Sequence, residues 1–333
     1  MYIGDTLYYI YKPIKRKALM NVSADVSRNN SISRLRVIAD MIWCSLKYGA
    51  MWTEYGDLDF YHRTAENRST YITTFYNFKL YSKINLKDYR DVFHEKIAFL
   101  SKFQNFIKRE WIPINSSSEE KIKAFLNKHD LVVAKASYGD SGKEVEVLKV
   151  SDYRNTAEFL EYIKGKQYNL LEECITNHRD VRRLNESSLN TVRIVTVKKG
   201  DSVGILFAGI RVGGAGARID NISQGGKSAR INVMTGIIDS PFYGKASSSH
   251  SADGGVTGQD CIGFQLPHWE DVVSTVKKAA LIVPEIGIVA WDVAITEDGV
   301  DLIEGNESFG SVIMQLYYKS NETGLKPRLI SML

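Results

Sequence analysis

The chain has 333 residues, 44% of them hydrophobic and 25% charged, and this length allows a sizeable buried core without disulfides or metal staples. Its three cysteines, Cys44, Cys174 and Cys261, form no Cys-x-x-Cys pair, which excludes a disulfide scaffold and a zinc ribbon and favours a reducing compartment. The formal net charge of +4 by itself indicates neither a nucleic acid nor a membrane partner.

The first 110 residues are expected to be mainly helical. Apolar residues recur at helical spacing between Ser33 and Gly49, and Gly49 suits the left-handed position that ends a helix. A second apolar stripe predicts one helix over Val92–Lys108. The segment 55–81, rich in Tyr and Arg, fits neither helical nor strand periodicity.

The pattern changes beyond residue 118. A short helix over 118–129 is followed by two strand-like runs, 131–136 and 143–150, which flank a loop of small residues and predict a β-hairpin. A helix over 156–163 and an apolar run at 168–175 come next. Further strands are expected at 191–198, 203–212, 229–233, 287–296 and 300–304, with helices at 268–282 and after Phe309. Mostly antiparallel sheets with helices packed on them indicate the α+β class.

Charge and glycine are unevenly distributed along the chain. Residues 1–90 contain 14 Lys and Arg against 8 Asp and Glu, whereas residues 91–333 contain 29 against 31. The basic surplus in the N-terminal region predicts either an anionic partner or a solvated basic face. Of the 25 glycines, 18 lie between residues 200 and 310, where backbone freedom must be needed.

No membrane-spanning or secretory segment is expected. The sequence contains no run of about 18 apolar residues. In the first 17 residues the apolar positions precede the basic ones and no small-residue cleavage site follows, unlike a secretory signal. We therefore expect a cytoplasmic protein without a transmembrane segment.

The hairpin at 291–306 carries a candidate metal site. Asp292 lies in one expected strand, and Glu304 and Asn306 lie at the end of the other, so three oxygen ligands can converge on one side. Such ligands suit Mg²⁺. Solvated hairpin charges are the alternative, but the neighbouring residues are apolar, and an inward carboxylate among them needs a cation.

Two further segments could bind phosphate. Lys135 follows three apolar residues in its strand, and a glycine-containing loop comes next, so backbone N–H groups and an ammonium could meet a phosphate. This is not a Walker A motif, and a plain surface hairpin is the alternative. Thr191 and Arg193 share one side of their strand by period two, and Arg193 offers a fork for phosphate or carboxylate, or for an edge-strand salt bridge. The glycine-rich segment 209–226, with Arg211, is either a substrate-covering loop or a long surface connection.

The order of these features resembles the ATP-grasp superfamily. Lys96 on a helix, Lys135 in a strand, a small-residue loop, LLEECI (170–175), NTVR (190–193) and D…E-x-N (292–306) follow one another as in that superfamily. The pieces SSLNTVRIVT, DNISQGG and WDVAIT…LIEGN look like its sugar-transfer-associated branch. The resemblance implies an ATP-grasp fold, in which two α+β subdomains clasp ATP. Its expected divisions are a mainly helical region 1–90, a first subdomain 91–184 and a second subdomain 185–333.

The resemblance also implies roles for individual residues. Asn190, Arg193 and Arg211 would act in catalysis, with Arg193 steadying the transferred phosphate. Asp292, Glu304 and Asn306 would bind magnesium. The ATP contacts would come from Lys96 and Lys135, the phosphate-covering loop residues Ser137, Gly139, Ser141, Gly142 and Lys143, the adenine hinge residues Glu172, Glu173, Cys174 and Ile175, and Asp180 at the ribose.

The implied activity is that of an ATP-dependent carboxylate–amine ligase that works through an acyl phosphate. Its substrates would be a sugar acid or glycan acceptor and an amino acid or amine, used in surface polysaccharide such as capsule, with ATP and Mg²⁺ as cofactors. An anionic partner of the basic N-terminal region would then be a nucleotide-linked or lipid-phosphate-linked sugar, or a polysaccharide carrying uronic acids, and no nucleic acid is expected. The alternatives are phosphotransfer to a sugar hydroxyl, or nucleotide binding without turnover beside a glycosyltransferase.

Overall fold

A computed structural model describes Gly4, Leu7 and residues 12–139, 145–214, 226–244, 261–318 and 322–333. Three residues of the expected phosphate-covering loop, Ser141, Gly142 and Lys143, lie outside the described residues, as do residues 215–225 of the glycine-rich segment. Within the described part the chain combines short helices with two antiparallel sheets. None of the described helices is both long and apolar enough to cross a membrane.

The N-terminal region is helical. Its helices are α1 (Pro13–Asn30), α2 (Arg34–Tyr48), α3 (Trp52–Asp57), α4 (Ala65–Ser69) and α5 (Thr74–Ile84), with a 3₁₀ turn at Phe60–His62. Gly49 ends α2 at φ 74°, as expected. These helices share a core that contains the fully buried side chains of Trp52, Tyr55 and Phe60, so the segment that the sequence left unassigned contributes Tyr55 and Phe60 to that core.

A buried carboxylate joins two of these helices. Glu54, in α3, is only 1% exposed. Its oxygens accept hydrogen bonds from the backbone N–H of Met51 at 2.7 Å and from the N–H and hydroxyl of Thr74 at 2.9 and 2.8 Å. Burial nevertheless raises the pKa of Glu54 to about 7. The beginning of α5 is therefore fixed to the beginning of α3 by a group that titrates near neutrality.

The prediction of a single helix over Val92–Lys108 is wrong. The structure has α6 (Asp91–His94), α7 (Lys96–Lys102) and a 3₁₀ turn at Gln104–Phe106. The break falls at Glu95, whose extended backbone caps α7 and whose carboxylate accepts from the N–H groups of Ile97 and Ala98. Glu95 also pairs with Tyr138 through a β-bridge. Side-chain periodicity could not reveal this break, because the apolar stripe continues across it.

The first sheet has four antiparallel strands. They are β1 (Trp111–Pro113), β2 (Leu131–Lys135), β3 (Val145–Lys149) and β4 (Leu170–Glu173), in the order β1-β4-β2-β3. The β2–β3 hairpin is confirmed. Helices α8 (Glu119–Lys128) and α9 (Thr156–Gly165) pack on one face, where Phe125, Phe159 and Ile163 meet Val132 and Leu171 in a separate core.

The second sheet has five antiparallel strands and supplies most of the site described below. They are β5 (Thr191–Lys199), β6 (Ser202–Val212), β7 (Lys227–Arg230), β8 (Ile288–Thr296) and β9 (Gly299–Asn306), in the order β7-β6-β5-β8-β9. The expected turn at Glu297–Gly299 is confirmed, with Gly299 at φ 112°. A short helix, α10 (Arg179–Arg182), precedes this sheet.

The two faces of the second sheet have different neighbours. One face, with Ile194 and Trp291, packs against α7 and against α11 (Trp269–Ala279). The opposite face is apolar at one end, where Phe207 and Ala290 meet the C-terminal segment that includes α12 (Lys326–Met332). The remainder of that face is polar and open, and it forms one wall of a cleft.

The C-terminal segment packs back onto the N-terminal helices. The side chain of Gln315 donates to the carbonyl of Ile72 at 2.8 Å and accepts from its N–H at 3.0 Å. Arg63 donates to the carbonyl of Tyr318 at 2.8 Å. The helical region and the C-terminal segment are therefore held together by contacts between residues more than 240 positions apart in the chain.

Candidate active site

A cleft of about 820 Å³ lies between the two sheets. Its walls come from β2, β3 and β4 on one side, from β5, β6, β8 and β9 on the other, and from the α6–α7 segment. Most of the site residues expected from the sequence line it. They are Lys96, Lys135, Gly139, Glu172, Glu173, Cys174, Ile175, Arg193, Arg211, Asp292, Glu304 and Asn306.

A carboxylate between two arginines forms the centre of the cleft wall on the second sheet. Asp292 in β8 lies opposite Arg193 in β5, and the two make a bidentate pair with N–O distances of 2.5 and 2.8 Å. Arg211 in β6 adds contacts of 3.0 Å to both carboxylate oxygens. Burial opposes ionisation, but the guanidinium groups of Arg193 and Arg211 outweigh it and lower the pKa of Asp292 to about 2.

A β-bulge brings a second carboxyl group to the same place. Asp292 pairs with Glu304 and Val293 pairs with Leu302, so Ile303 is an extra residue in β9. Glu304 therefore projects from the same face as Asp292. Removal from bulk water and then the nearby Asp292 carboxylate raise the pKa of Glu304 to about 7, although the side chain is open to the cleft.

These side chains fit a hard divalent cation. The two carboxyl groups stand at paired positions on one face of the hairpin, and Asn306 lies beside them with its amide nitrogen 3.2 Å from a Glu304 oxygen. A cation would relieve the repulsion that raises the Glu304 pKa, and carboxylate and amide oxygens are suitable ligands for Mg²⁺. In the part of the chain that the structure describes, no three His, Cys, Asp or Glu side chains form a metal-binding group, so the candidate set depends on the amide of Asn306.

The glycine between the two expected ligands has a packing role. Gly305 lies opposite Trp291 in the β8–β9 ladder. A Cβ atom built on it would lie 2.9 Å from the Trp291 ring and 3.0 Å from the Phe93 ring. Only glycine lets these two rings close over the strand while Glu304 and Asn306 face the cleft.

Lys135 does not stand alone in its apolar strand. Its ammonium donates to an oxygen of Glu172 at 2.9 Å, and the other oxygen of Glu172 accepts from Nε of Arg109 at 2.6 Å. Burial disfavours the charged carboxylate, but Arg109 and then Lys135 lower the pKa of Glu172 to about 2. Both cations thus contact one ionised, buried carboxylate that belongs to the expected adenine hinge.

Arg109 also reaches the second sheet. Its Nη1 donates to Asp301 at 2.5 Å and to the carbonyl of Leu302 at 2.9 Å, and its Nη2 donates to the carbonyl of Ile303 at 3.2 Å. Sequence reasoning missed both Arg109 and Asp301. Arg109 precedes β1 without a motif around it. In the sequence Asp301 cannot be distinguished from a solvent-exposed acid of the hairpin.

The beginning of the expected phosphate-covering loop is attached to α7. Lys96 donates through its ammonium to the carbonyl of Gly139 at 2.8 Å and through its backbone N–H to the carbonyl of Ser137 at 2.9 Å. Ser137 itself is buried and exchanges hydrogen bonds with Asn169. Lys96 and Gly139 thus line the cleft, whereas Ser137 does not.

Two other expected site residues do not line the cleft. Asn190 is buried, and its amide donates to the carbonyls of Val181 and Asn185, so it holds the loop before β5 rather than facing a substrate. Asp180 is paired at 3.6 Å with His178, away from the cleft lining. Neither position supports the contact that the resemblance implied.

The cleft has a further part that the sequence did not indicate. The last residue of α10, Arg182, lines it together with three residues of the following segment, Glu186, Ser187 and Ser188. Ser188 is buried; its hydroxyl donates to Asn190 and accepts from the N–H of Gly213. Arg182 and Glu186 are exposed and provide charges of both signs close to Thr191 and Arg193 in sequence.

Two antiparallel α+β halves that enclose a cleft lined by lysines, arginines and paired carboxylates define an ATP-grasp protein. The chain belongs to the sugar-transfer associated ATP-grasp family, whose family model matches residues 75–332. A search of curated proteins gave no match.

Several solved structures are similar in fold. The ATP-grasp ligase PsnB complexed with a minimal precursor has 13% identity and a TM-score of 0.46, covering 75% of this chain and 64% of that one. D-alanyl-alanine synthetase A from Vibrio cholerae has 11% identity and a TM-score of 0.45, covering 72% and 64%. The ADP complex of N5-carboxyaminoimidazole ribonucleotide synthetase has 10% identity and a TM-score of 0.40, covering 66% and 46%. This chain therefore spans less than two thirds of the length of each.

Proposed function

We propose that the protein is an ATP-dependent carboxylate–amine ligase that joins an amino acid or amine to a sugar acid used in surface polysaccharide. The observation that carries the proposal is the group formed by Arg193, Arg211, Asp292 and Glu304 on the cleft wall. These two cations and two carboxyl groups would flank a phosphoryl group that passes from ATP to an acceptor. The family's association with sugar transfer supports the choice of acceptor.

The opposite wall is suited to the nucleotide. Lys135, held by Glu172, can neutralise a phosphate oxygen, and Lys96 lies at the start of the loop beside it. The backbone of β4 and the following residues up to Ile175 lines the same wall and offers hydrogen-bonding groups to an adenine. We expect the base between the sheets and the triphosphate directed toward Arg193.

Magnesium would be held by Asp292, Glu304 and Asn306. When bound, it would neutralise phosphate charge and favour transfer of the terminal phosphoryl group. The fit rests on the two neighbouring carboxyl groups and on the adjacent amide oxygen. In the structure Arg193 and Arg211 hold Asp292 in place.

The reaction would proceed in two steps. A carboxylate oxygen of the acceptor attacks the terminal phosphorus of ATP, which forms an acyl phosphate and releases ADP. The amine nitrogen then attacks the acyl carbon, and phosphate leaves while the amine loses a proton. Arg193 and Arg211 can stabilise the negative charge that develops in both steps. No covalent enzyme nucleophile is needed.

The test is a screen of sugar acids and amino acids, alone and in pairs, for ADP release by the purified chain. We expect ADP release that depends on both a carboxylate and an amine, and a decrease of about 10²-fold or more in Asp292→Asn and Glu304→Gln. Asp298→Asn, an exposed acid in the turn of the same hairpin, is the matched control and should retain full activity.

Other outcomes would decide against the proposal. A phosphorylated sugar formed without an amine would identify a phosphotransferase instead. ADP bound with no turnover of any pair would favour a nucleotide-binding partner of a glycosyltransferase. Unchanged turnover in both Asp292→Asn and Glu304→Gln would show that these residues are not metal ligands.

A further inference from the structure

We propose that Arg109 is a positioning residue that holds the bulge at Ile303 and so keeps Glu304 and Asn306 on the cleft face. The inference rests on the proposed function, because that function gives these two side chains their role as metal ligands. Arg109 itself belongs to neither sheet. It lies two residues before β1, with a side chain that is 2% exposed.

The bulge decides which way Glu304 points. In a regular antiparallel ladder alternate residues share a face. Val300 and Leu302 both face the core that packs on α7 and α11, so unbroken alternation would direct Glu304 into that core as well. The extra residue, Ile303, reverses the alternation, and Glu304 comes to lie opposite Asp292. A shift of one residue in the register thus decides whether the Glu304 carboxyl group faces the cleft or the core.

Such a bulge needs partners for the polar groups around it. An inserted residue disrupts the ladder locally, and a buried carbonyl without a donor costs about 1–3 kcal/mol. The guanidinium of Arg109 donates to the carbonyls of both Leu302 and Ile303. Its Nη1 and its backbone N–H also bond the two oxygens of Asp301, at 2.5 and 2.7 Å. Three consecutive residues at the bulge are therefore held by one arginine.

The same side chain fixes the nucleotide wall. Its Nε bonds Glu172, which in turn bonds Lys135. Arg109 thus sets the position of Lys135 on one sheet and of Glu304 on the other, across the floor of the cleft. A lysine cannot replace it, because one ammonium cannot present the planar fork that reaches Glu172, Asp301 and two carbonyls together.

The test measures Mn²⁺ binding to the full chain by electron paramagnetic resonance, without nucleotide and without turnover. We expect Arg109→Lys to weaken Mn²⁺ binding by about 10- to 100-fold, as loss of a residue supporting metal ligands does. Asp301→Asn, which keeps Arg109 but weakens its hold on β9, should weaken binding by a smaller factor. Lys108→Ala is the matched control: Lys108 contacts the turn of the same hairpin at Asp298, away from the bulge, so binding should not change.

The outcomes separate this inference from the proposed function. Asp292→Asn must abolish the Mn²⁺ binding that the wild type shows. If this variant still binds Mn²⁺, the assignment of the metal site is wrong. If Asp292→Asn loses Mn²⁺ binding as expected but Arg109→Lys and Asp301→Asn bind Mn²⁺ as the wild type does, Arg109 does not position the site. A lower melting temperature with unchanged Mn²⁺ affinity in the folded protein would show a structural role alone and overturn the proposal, as would failure of both variants to fold.

Discussion

The buried carboxyl group of Glu54 gives the helical region a stability that depends on pH. Its folded pKa of about 7 lies above the ordinary value of 4.5. A group whose pKa is raised by folding contributes most stability below its unfolded pKa and loses that contribution as pH rises through the folded pKa. The expected window is therefore pH 4.5 to 7.

The size of the effect follows from the shift. Each pKa unit corresponds to about 1.4 kcal/mol, so ionisation of Glu54 should cost about 3 kcal/mol of unfolding free energy across this window. Glu54→Gln removes the titration but keeps the shape. In either orientation the amide nitrogen faces a backbone N–H, that of Met51 or that of Thr74, which adds a penalty of about 1–2 kcal/mol that does not vary with pH.

The assay is urea unfolding of the wild type and Glu54→Gln between pH 4 and 8.5. We expect the wild type to lose about 3 kcal/mol relative to the variant as pH rises. Glu66→Gln, an exposed acid in α4, is the control and should run parallel to the wild type. Parallel curves for Glu54→Gln would refute the reasoning. An opposite slope would show that the donors of Met51 and Thr74 favour the carboxylate more strongly than burial disfavours it.

Three further outcomes are expected. Lys135→Met should raise the KM for ATP by about 10- to 100-fold, because a charge-assisted hydrogen bond to phosphate contributes about 1.5–3 kcal/mol; unchanged KM in steady-state ADP release would contradict the assignment. Gly305→Ala should lower the free energy of unfolding by about 1–3 kcal/mol in urea titrations, and a neutral result would mean that the Trp291 ring can move aside. Charge reversal at residues 15–17 should weaken binding to a uronic acid-containing glycan in titration calorimetry. Equal affinity would mean that these residues form a solvated basic face without an anionic partner.

The strands of the second sheet could be predicted because their sequences carry the signal. Alternation and turn residues located the β8–β9 hairpin, whereas the pairing of Asp292 with Glu304 depends on the bulge at Ile303. Thr191 and Arg193 both reach the cleft, as period two requires. The division into three regions at residues 90 and 184 stays a prediction.

The remaining features depend on contacts that have no local signal. Glu95 breaks a continuous apolar stripe because it caps α7 and pairs with Tyr138. A buried arginine such as Arg109 looks like any surface arginine until Glu172 and Asp301 are placed around it. The bulge at Ile303 left one trace, the adjacent apolar residues Leu302 and Ile303 that interrupt the alternation, but such a pair does not by itself show which residue is extra.

The hydrogen bonds between Gln315 and Ile72, and between Arg63 and Tyr318, can form only after the C-terminal segment has been synthesised. The helical region leaves the ribosome before the C-terminal segment, yet Val312, Leu316 and Tyr318 of that segment pack on its core. Until residue 318 has emerged, that core lacks part of its cover and exposes apolar surface, a condition that invites aggregation. We expect the nascent helices to need protection by a chaperone, and folding to be slow because closing contacts this far apart in sequence costs chain entropy before the contacts stabilise the fold.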